Sequence, residues 1–230
     1  MDPQAPTPDS PALALTGAAA PAPSSSSIPF RLWTDAERAD SLRVALRDWT
    51  PGMDVWVYAY GSLIWRPDFA FAERRLATLH GYHRALCLWS RVNRGTPESP
   101  GLVFGLDRGG SCRGMVYRIA GENVSECFEA LWRREMSTGA YLPRWLNCST
   151  ETGTVPALVF TMNRASPSYI PELPETELLA VIRRASGQYG ACMDYVTQTA
   201  QALMAAGIRD RRLNHIVSRL NEERLLLPGS

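Results

Sequence analysis

The sequence predicts an α+β fold, an antiparallel sheet or small barrel with helices packed around it. Two observations carry that expectation. Between residues 55 and 119, apolar, β-branched and aromatic runs follow one another across Gly- and Pro-rich turns too short for crossover helices. The last third instead shows apolar residues at helical spacing. At 230 residues, with 45% hydrophobic and 20% charged, the chain supports one well-buried core and leaves a second full domain cramped.

Residues 1–28 are rich in Ala, Pro and Ser, with only Asp2 and Asp9 charged, so a disordered tail is expected, followed by a single domain over 29–230. That start lacks the basic residues and long apolar run of a secretory signal and the Arg of a transit peptide. No run approaches transmembrane length, so no membrane partner is expected. Five widely spaced cysteines without a Cys-x-x-Cys pair indicate free thiols in a reducing compartment, and the cytoplasm is the expected location.

Thr34 and Glu37 form a capping-box pattern at the start of a helix over 35–48, which Pro51-Gly52 ends. The run 55–60 reads as a buried strand, meets Gly61-Ser62, and is turned away by Pro67. A short segment, 69–79, leads to a strand over 83–89. Then come a turn-rich loop over 91–101, a strand over 102–106, a turn over 107–110, and a strand over 112–119 in hairpin relation to its predecessor. In the helix over 123–136, Val124, Phe128, Leu131 and Glu135 share one face. A strand over 154–162 precedes helices over 175–185, 192–206 and 210–223, with Gly207 suited to a left-handed cap and Asp210 to an N-cap.

Composition excludes several chemistries. All 24 basic residues are Arg, so neither a phosphate-loop lysine nor a Schiff-base lysine exists. A net charge of +1 and scattered arginines give no nucleic-acid stripe. His80, His83 and Cys87 lack a second close pair, so no metal site is expected. Ser62 lacks the Gly-x-Ser-x-Gly elbow of a serine nucleophile.

Two features remain as candidates. The Tyr60-Gly61-Ser62-Leu63 turn presents successive backbone N–H groups, either as a substrate cradle or as an ordinary strand-to-loop turn. Glu135 continues an apolar helix face near the helix C-terminus, where burial and the macrodipole both raise a carboxyl pKa. It suits a general base, or else pairs structurally with Arg133 or Arg134. Tyr141 can fold back toward the same pocket, as lining or as packing, and Arg91 and Arg94 can clamp a substrate carboxylate or stay solvated.

Taken in order, the motifs resemble those of ChaC-type γ-glutamylcyclotransferases over about residues 30–225. They are Tyr60 to Pro67 (YGSLIWRP), Gly81 to Arg84 (GYHR), Arg94 to Val103 (RGTPESPGLV), Arg108 to Gly114 (RGGSCRG), Trp132 to Met136 (WRREM), Asp194-Tyr195, and Ala206 to Asp210 (AGIRD). The resemblance implies a small, mostly antiparallel β-barrel with surrounding helices. It also implies release of 5-oxoproline and cysteinyl-glycine from glutathione without a cofactor. Glu135 becomes the catalytic acid/base, and Tyr60, Gly61, Ser62 and Leu63 hold the γ-glutamyl group. Tyr141 and Tyr195 correspond to pocket tyrosines of the wider family, and Arg94, as a loop clamp, joins them as an expected substrate-binding residue. The alternatives are a cyclotransferase for another γ-glutamyl amine or dipeptide, and a non-catalytic γ-glutamyl-binding module.

Overall fold

The computed structural model describes residues 31–225. The tail expected over 1–28 lies outside them. A first helix, α1 (Asp35–Ala45), opens the described chain. Its capping box forms as its sequence predicts, with Glu37 N–H donating to Thr34 Oγ1 at 3.2 Å and Thr34 N–H to Glu37 Oε2 at 2.8 Å.

Five strands then close a barrel: β1 (Val55–Ala59), β2 (Glu73–Ser90), β3 (Gly101–Ile119), β4 (Tyr141–Thr150) and β5 (Gly153–Met162), in the spatial order β1-β3-β2-β4-β5. All neighbours run antiparallel except the closing pair. There β5 returns parallel to β1, with Trp56 opposite Ala157 and Val57 opposite Leu158. The mostly antiparallel barrel is therefore borne out. Helix α2 (Val124–Glu135) lies between β3 and β4, and α3 (Glu175–Arg184), α4 (Cys192–Ala205) and α5 (Arg211–Leu225) follow the barrel. A two-residue hairpin, β6 (Ser186–Gly187) with β7 (Gly190–Ala191), joins α3 to α4.

The core is one cluster. Val57, Tyr58 and Ala59 of β1, Phe160 of β5, and Phe128 and Trp132 of α2 are all within about 1% of full burial. The Trp132 ring meets Phe160 edge-on at 5.3 Å, which seats α2 on the barrel. Two indoles stitch α1 to its neighbours, Trp132 Nε1 donating to Ser41 Oγ at 3.2 Å and Trp145 Nε1 to the Ala45 carbonyl at 2.8 Å.

The structure corrects three expectations. Residues 107–110 do not reverse the chain, because β3 runs through them while paired to β2. Gly81, Gly109 and Gly110 adopt φ values of 83°, 99° and 70°, and the register moves from His80 opposite Ser111 to Tyr82 opposite Arg108. This is a bulge with one extra residue in β3, and it bends two long strands around the barrel. The reversal occurs over 91–100 instead. Residues 73–79, expected as a lead-in, already belong to β2. Finally, β4 was not expected at all. Apart from the buried Tyr141 and Cys148 its residues are half-buried or exposed, it contains Pro143, and its order comes from pairing along the whole of β5.

Candidate active site

The catalytic candidates meet where β1 runs out. After Ala59 the chain turns through Tyr60 and Gly61 into a single 3₁₀ turn, Ser62–Ile64. Ile64 N–H donates to the Gly61 carbonyl at 3.0 Å and Arg66 N–H to the Ser62 carbonyl at 2.8 Å. Trp65 Nε1 ties the turn to α4 through Thr199 Oγ1 at 3.3 Å. Among the described residues, the N–H groups of Gly61, Ser62 and Leu63 have no protein acceptor.

Across from this turn lies the end of α2. Val124, Phe128 and Leu131 are buried on the helix's apolar face, and the same spacing carries Glu135 inward, to 16% side-chain exposure. Burial raises its pKa, and the Asp68 carboxylate pushes the same way. Arg134, whose Nε lies 3.1 Å from Glu135 Oε1, holds it down. The two readings of Glu135 therefore coexist: it is ion-paired, and its pKa is still raised.

Of the two partners the sequence offers Glu135, Arg133 or Arg134, the structure selects Arg134, and its further contacts were not expected. Its Nη1 donates to the Arg66 carbonyl at 2.6 Å and to Asp68 Oδ2 at 2.9 Å, while Nη2 donates to Ser62 Oγ at 2.9 Å. One guanidinium thus fastens the end of α2 to the turn over 61–66. The signal was its place beside Glu135 in Trp132–Met136, but nothing local shows where the side chain reaches.

Three tyrosines far apart in sequence converge here. Tyr60, Tyr141 and Tyr195 are 7%, 9% and 6% exposed. Tyr141 Oη donates to the Phe104 carbonyl at 3.0 Å, and Tyr195 Oη accepts from Phe104 N–H at 3.1 Å, so one residue of β3 orients both through its two flanking peptide groups. Burial pushes all three phenols upward, with the Glu135 charge adding to it, which keeps the hydroxyls neutral.

A cavity of about 480 Å³ opens on this cluster, lined among others by Ser62, Arg94, Glu135, Tyr141 and Tyr195. Tyr60, Gly61 and Leu63 are not among its lining residues, although Tyr195 Oη lies 3.6 Å from where a Gly61 Cβ would stand. Arg94 is buried. Its Nη1 donates to the Tyr189 carbonyl at 2.6 Å, and its guanidinium stands 5.3 Å from the centre of the Tyr195 ring. Arg91 is also buried and donates from Nη1 to Ser168 Oγ at 3.0 Å, so neither arginine is a solvated loop residue.

The wall beyond Glu135 is braced from the N-terminal side. Trp33 N–H donates to the Ser137 carbonyl at 2.8 Å, and Leu32, Ser137 and Thr138 line the cavity. Gly139, at φ 67°, packs its backbone on the Trp33 ring, where an added Cβ would lie 2.5 Å from the ring. Gly139→Ala is therefore expected to lower unfolding free energy by about 1–3 kcal/mol, through backbone strain plus displacement of the indole. Chemical denaturation measures it.

The model of ChaC-like proteins matches residues 55–223. The chain is 37% identical over 187 residues to a glutathione-specific γ-glutamylcyclotransferase of Escherichia coli K12, covering 81% of each chain. It is 30% identical over 183 residues to glutathione-specific γ-glutamylcyclotransferase 1 of Mus musculus, covering 76% of this chain and 81% of the other. In fold it is similar to the crystal structure of a yeast γ-glutamyl cyclotransferase specific to glutathione, with a TM-score of 0.70 and 22% identity over 76% of this chain and 99% of that one. The order of motifs, the barrel they build and the extent of these matches agree: the chain belongs to the ChaC-like family.

Proposed function

We propose that this protein is a γ-glutamylcyclotransferase that degrades glutathione to 5-oxoproline and cysteinyl-glycine, with Glu135 as the proton carrier. The observation that carries the reading is a desolvated carboxyl with a raised pKa, facing a turn whose backbone N–H groups are unused. The names of the E. coli and mouse relatives support glutathione as the substrate. A cavity of about 480 Å³ falls within the roughly 300–1,000 Å³ typical of small-molecule sites.

The reaction is an internal ring closure. The α-amine of the glutamyl group attacks its own γ-carbonyl, the new C–N bond closes a five-membered lactam, and the bond to the cysteinyl nitrogen breaks. Well-oriented intramolecular attack reaches effective molarities on the order of 10⁵ M or more, so holding the bent conformer is the main task. The backbone at 61–63, with Tyr60 behind it, grips the glutamyl end. Tyr141 and Tyr195 present neutral hydroxyls along the wall, and Arg94 adds positive charge beside Tyr195. Glu135 takes the proton from the attacking amine and returns it to the departing cysteinyl nitrogen. N–H groups at Ser62 or Leu63 stabilise the tetrahedral oxyanion. Bonds and protons balance without a cofactor.

We further read residues 29–230 as one domain acting in the cytoplasm. Among the described residues, no helix is long and apolar enough to cross a membrane. All five cysteines are free and buried, which suits a reducing compartment.

Incubation with glutathione followed by mass spectrometry tests the activity. The expected products are 5-oxoproline and cysteinyl-glycine. Preferential turnover of γ-glutamyl-alanine would instead indicate a cyclotransferase for other γ-glutamyl compounds. No product from either would leave a binding module.

A further inference from the structure

The substrate turn hangs from a buried arginine outside the cavity. The β1–β3 ladder ends at Ala59 opposite Met115, so the Tyr60 carbonyl leaves the sheet without a strand partner. Arg84 of β2, its side chain only 4% exposed, takes that place. Nε donates to the Tyr60 carbonyl, Nη2 to the Arg113 carbonyl at 2.6 Å, and Nη1 to Asp210 Oδ2. Its fork thus joins the carbonyls of two strands where they part. Asp210 in turn uses Oδ1 to accept from Leu213 N–H at 3.0 Å and so caps α5. The expected N-cap and the substrate turn are linked through one guanidinium.

A planar trans peptide points its C=O and N–H in opposite directions. Fixing the Tyr60 carbonyl on Arg84 therefore fixes the direction of Gly61 N–H as well. We propose that Arg84, locked by Asp210, is a positioning residue for substrate: it orients the peptide between Tyr60 and Gly61 and thereby the N–H groups that hold the glutamyl end. Arg84 does not line the substrate cavity. It lines a separate cavity of about 190 Å³, together with Asp210 and Leu213, and acts on the substrate site only through Tyr60.

The inference rests on the γ-glutamyl reading, and its effect on kinetics follows from what the turn touches. Arg84 fixes Gly61 N–H, which holds the glutamyl end alike in the ground state and in ring closure. The oxyanion donors at Ser62 and Leu63 belong instead to the 3₁₀ turn that Arg134 secures through Ser62 Oγ. Loosening the grip therefore weakens binding more than it slows the chemical step, and KM moves more than kcat.

The test is steady-state kinetics of 5-oxoproline release by the full chain. Arg84→Met alone would leave Asp210 without its partner, so the main variant is the double substitution Arg84→Met/Asp210→Ser. It removes both charges and keeps a hydroxyl able to cap Leu213 N–H. KM for glutathione is expected to rise at least about tenfold, kcat to change less than about threefold, and the acid limb of the kcat profile to stay in place, because Glu135 and Arg134 are untouched. A KM within about twofold of the parent, or a fall in kcat at unchanged KM, overturns the proposal. Arg84→Lys keeps the charge beside Asp210 but cannot reach both carbonyls, and a KM rise of about threefold or more is expected there. An unchanged KM in this variant counts equally against the proposal, including where the double variant fails to fold. A parent chain inactive on glutathione sinks both readings, whereas an active parent with unmoved variant KM sinks this one alone.

Discussion

Glu135→Gln is expected to abolish 5-oxoproline release while leaving the fold and glutathione binding in place. Gln has the shape of Glu, but it accepts no proton at neutral pH and has none to return. General acid–base catalysis contributes typically 10²–10⁴-fold, and the role proposed for Glu135 covers both halves of the reaction, so a fall in kcat of about 10³ or more is predicted. KM should change by less than about threefold, since Glu135 is assigned to the chemical step and not to holding the glutamyl group. Folding raises the Glu135 pKa, so its ionised form costs stability at neutral pH, and Arg134 keeps Asp68 as a partner when that carboxylate is removed. Denaturant unfolding should therefore show equal or slightly greater stability. Turnover near that of the parent would end the assignment.

Arg134→Met is expected to be the next most damaging change, and it has a separate signature. It releases Ser62 Oγ, the Arg66 carbonyl and Asp68 together, freeing the turn from the end of α2. Small misplacements of reacting groups can cost on the order of 10² in rate, and kcat/KM at neutral pH should fall by about that factor. The pH dependence supplies the distinguishing readout. Glu135 must be ionised to accept the proton, and burial has already raised its pKa, so the parent's acid limb lies above the range of an ordinary carboxylate. Arg134 is the attraction that opposes this rise. The other groups facing Glu135 are the Asp68 carboxylate and the neutral phenols of Tyr60, Tyr141 and Tyr195, none of which can replace the lost cation. Without Arg134 the Glu135 pKa rises further and the acid limb moves to higher pH. A fall in rate with an unmoved acid limb would mean that Arg134 only fastens the turn.

Local features were legible in the sequence where a few neighbouring residues decide them. The Thr34–Glu37 box, the left-handed Gly207 at φ 70° and the Asp210 cap of Leu213 N–H each form as read, because each needs contacts only within one helical turn. The inward aim of Glu135 was legible for a similar reason, since it follows from the 3.6-residue repeat of α2. Residues 107–110 misled because glycines suit a bulge as well as a reversal, and only the partner strand chooses between them. β4 carries no clear alternation of its own and is held straight by β5.

By itself, then, the amino-acid order determined the fold class, the family motifs, the run from strand to turn at 55–63, and the helix face that presents Glu135. These follow from backbone preferences and side-chain spacing within a few residues. Only the tertiary structure decided that Tyr60, Tyr141 and Tyr195 meet around that carboxyl, that Arg134 fastens it to the turn, and that Arg84 carries the turn from behind. Barrel closure brings together residues tens of positions apart. Which donor reaches which acceptor depends on register and bulge, quantities the one-dimensional pattern does not contain.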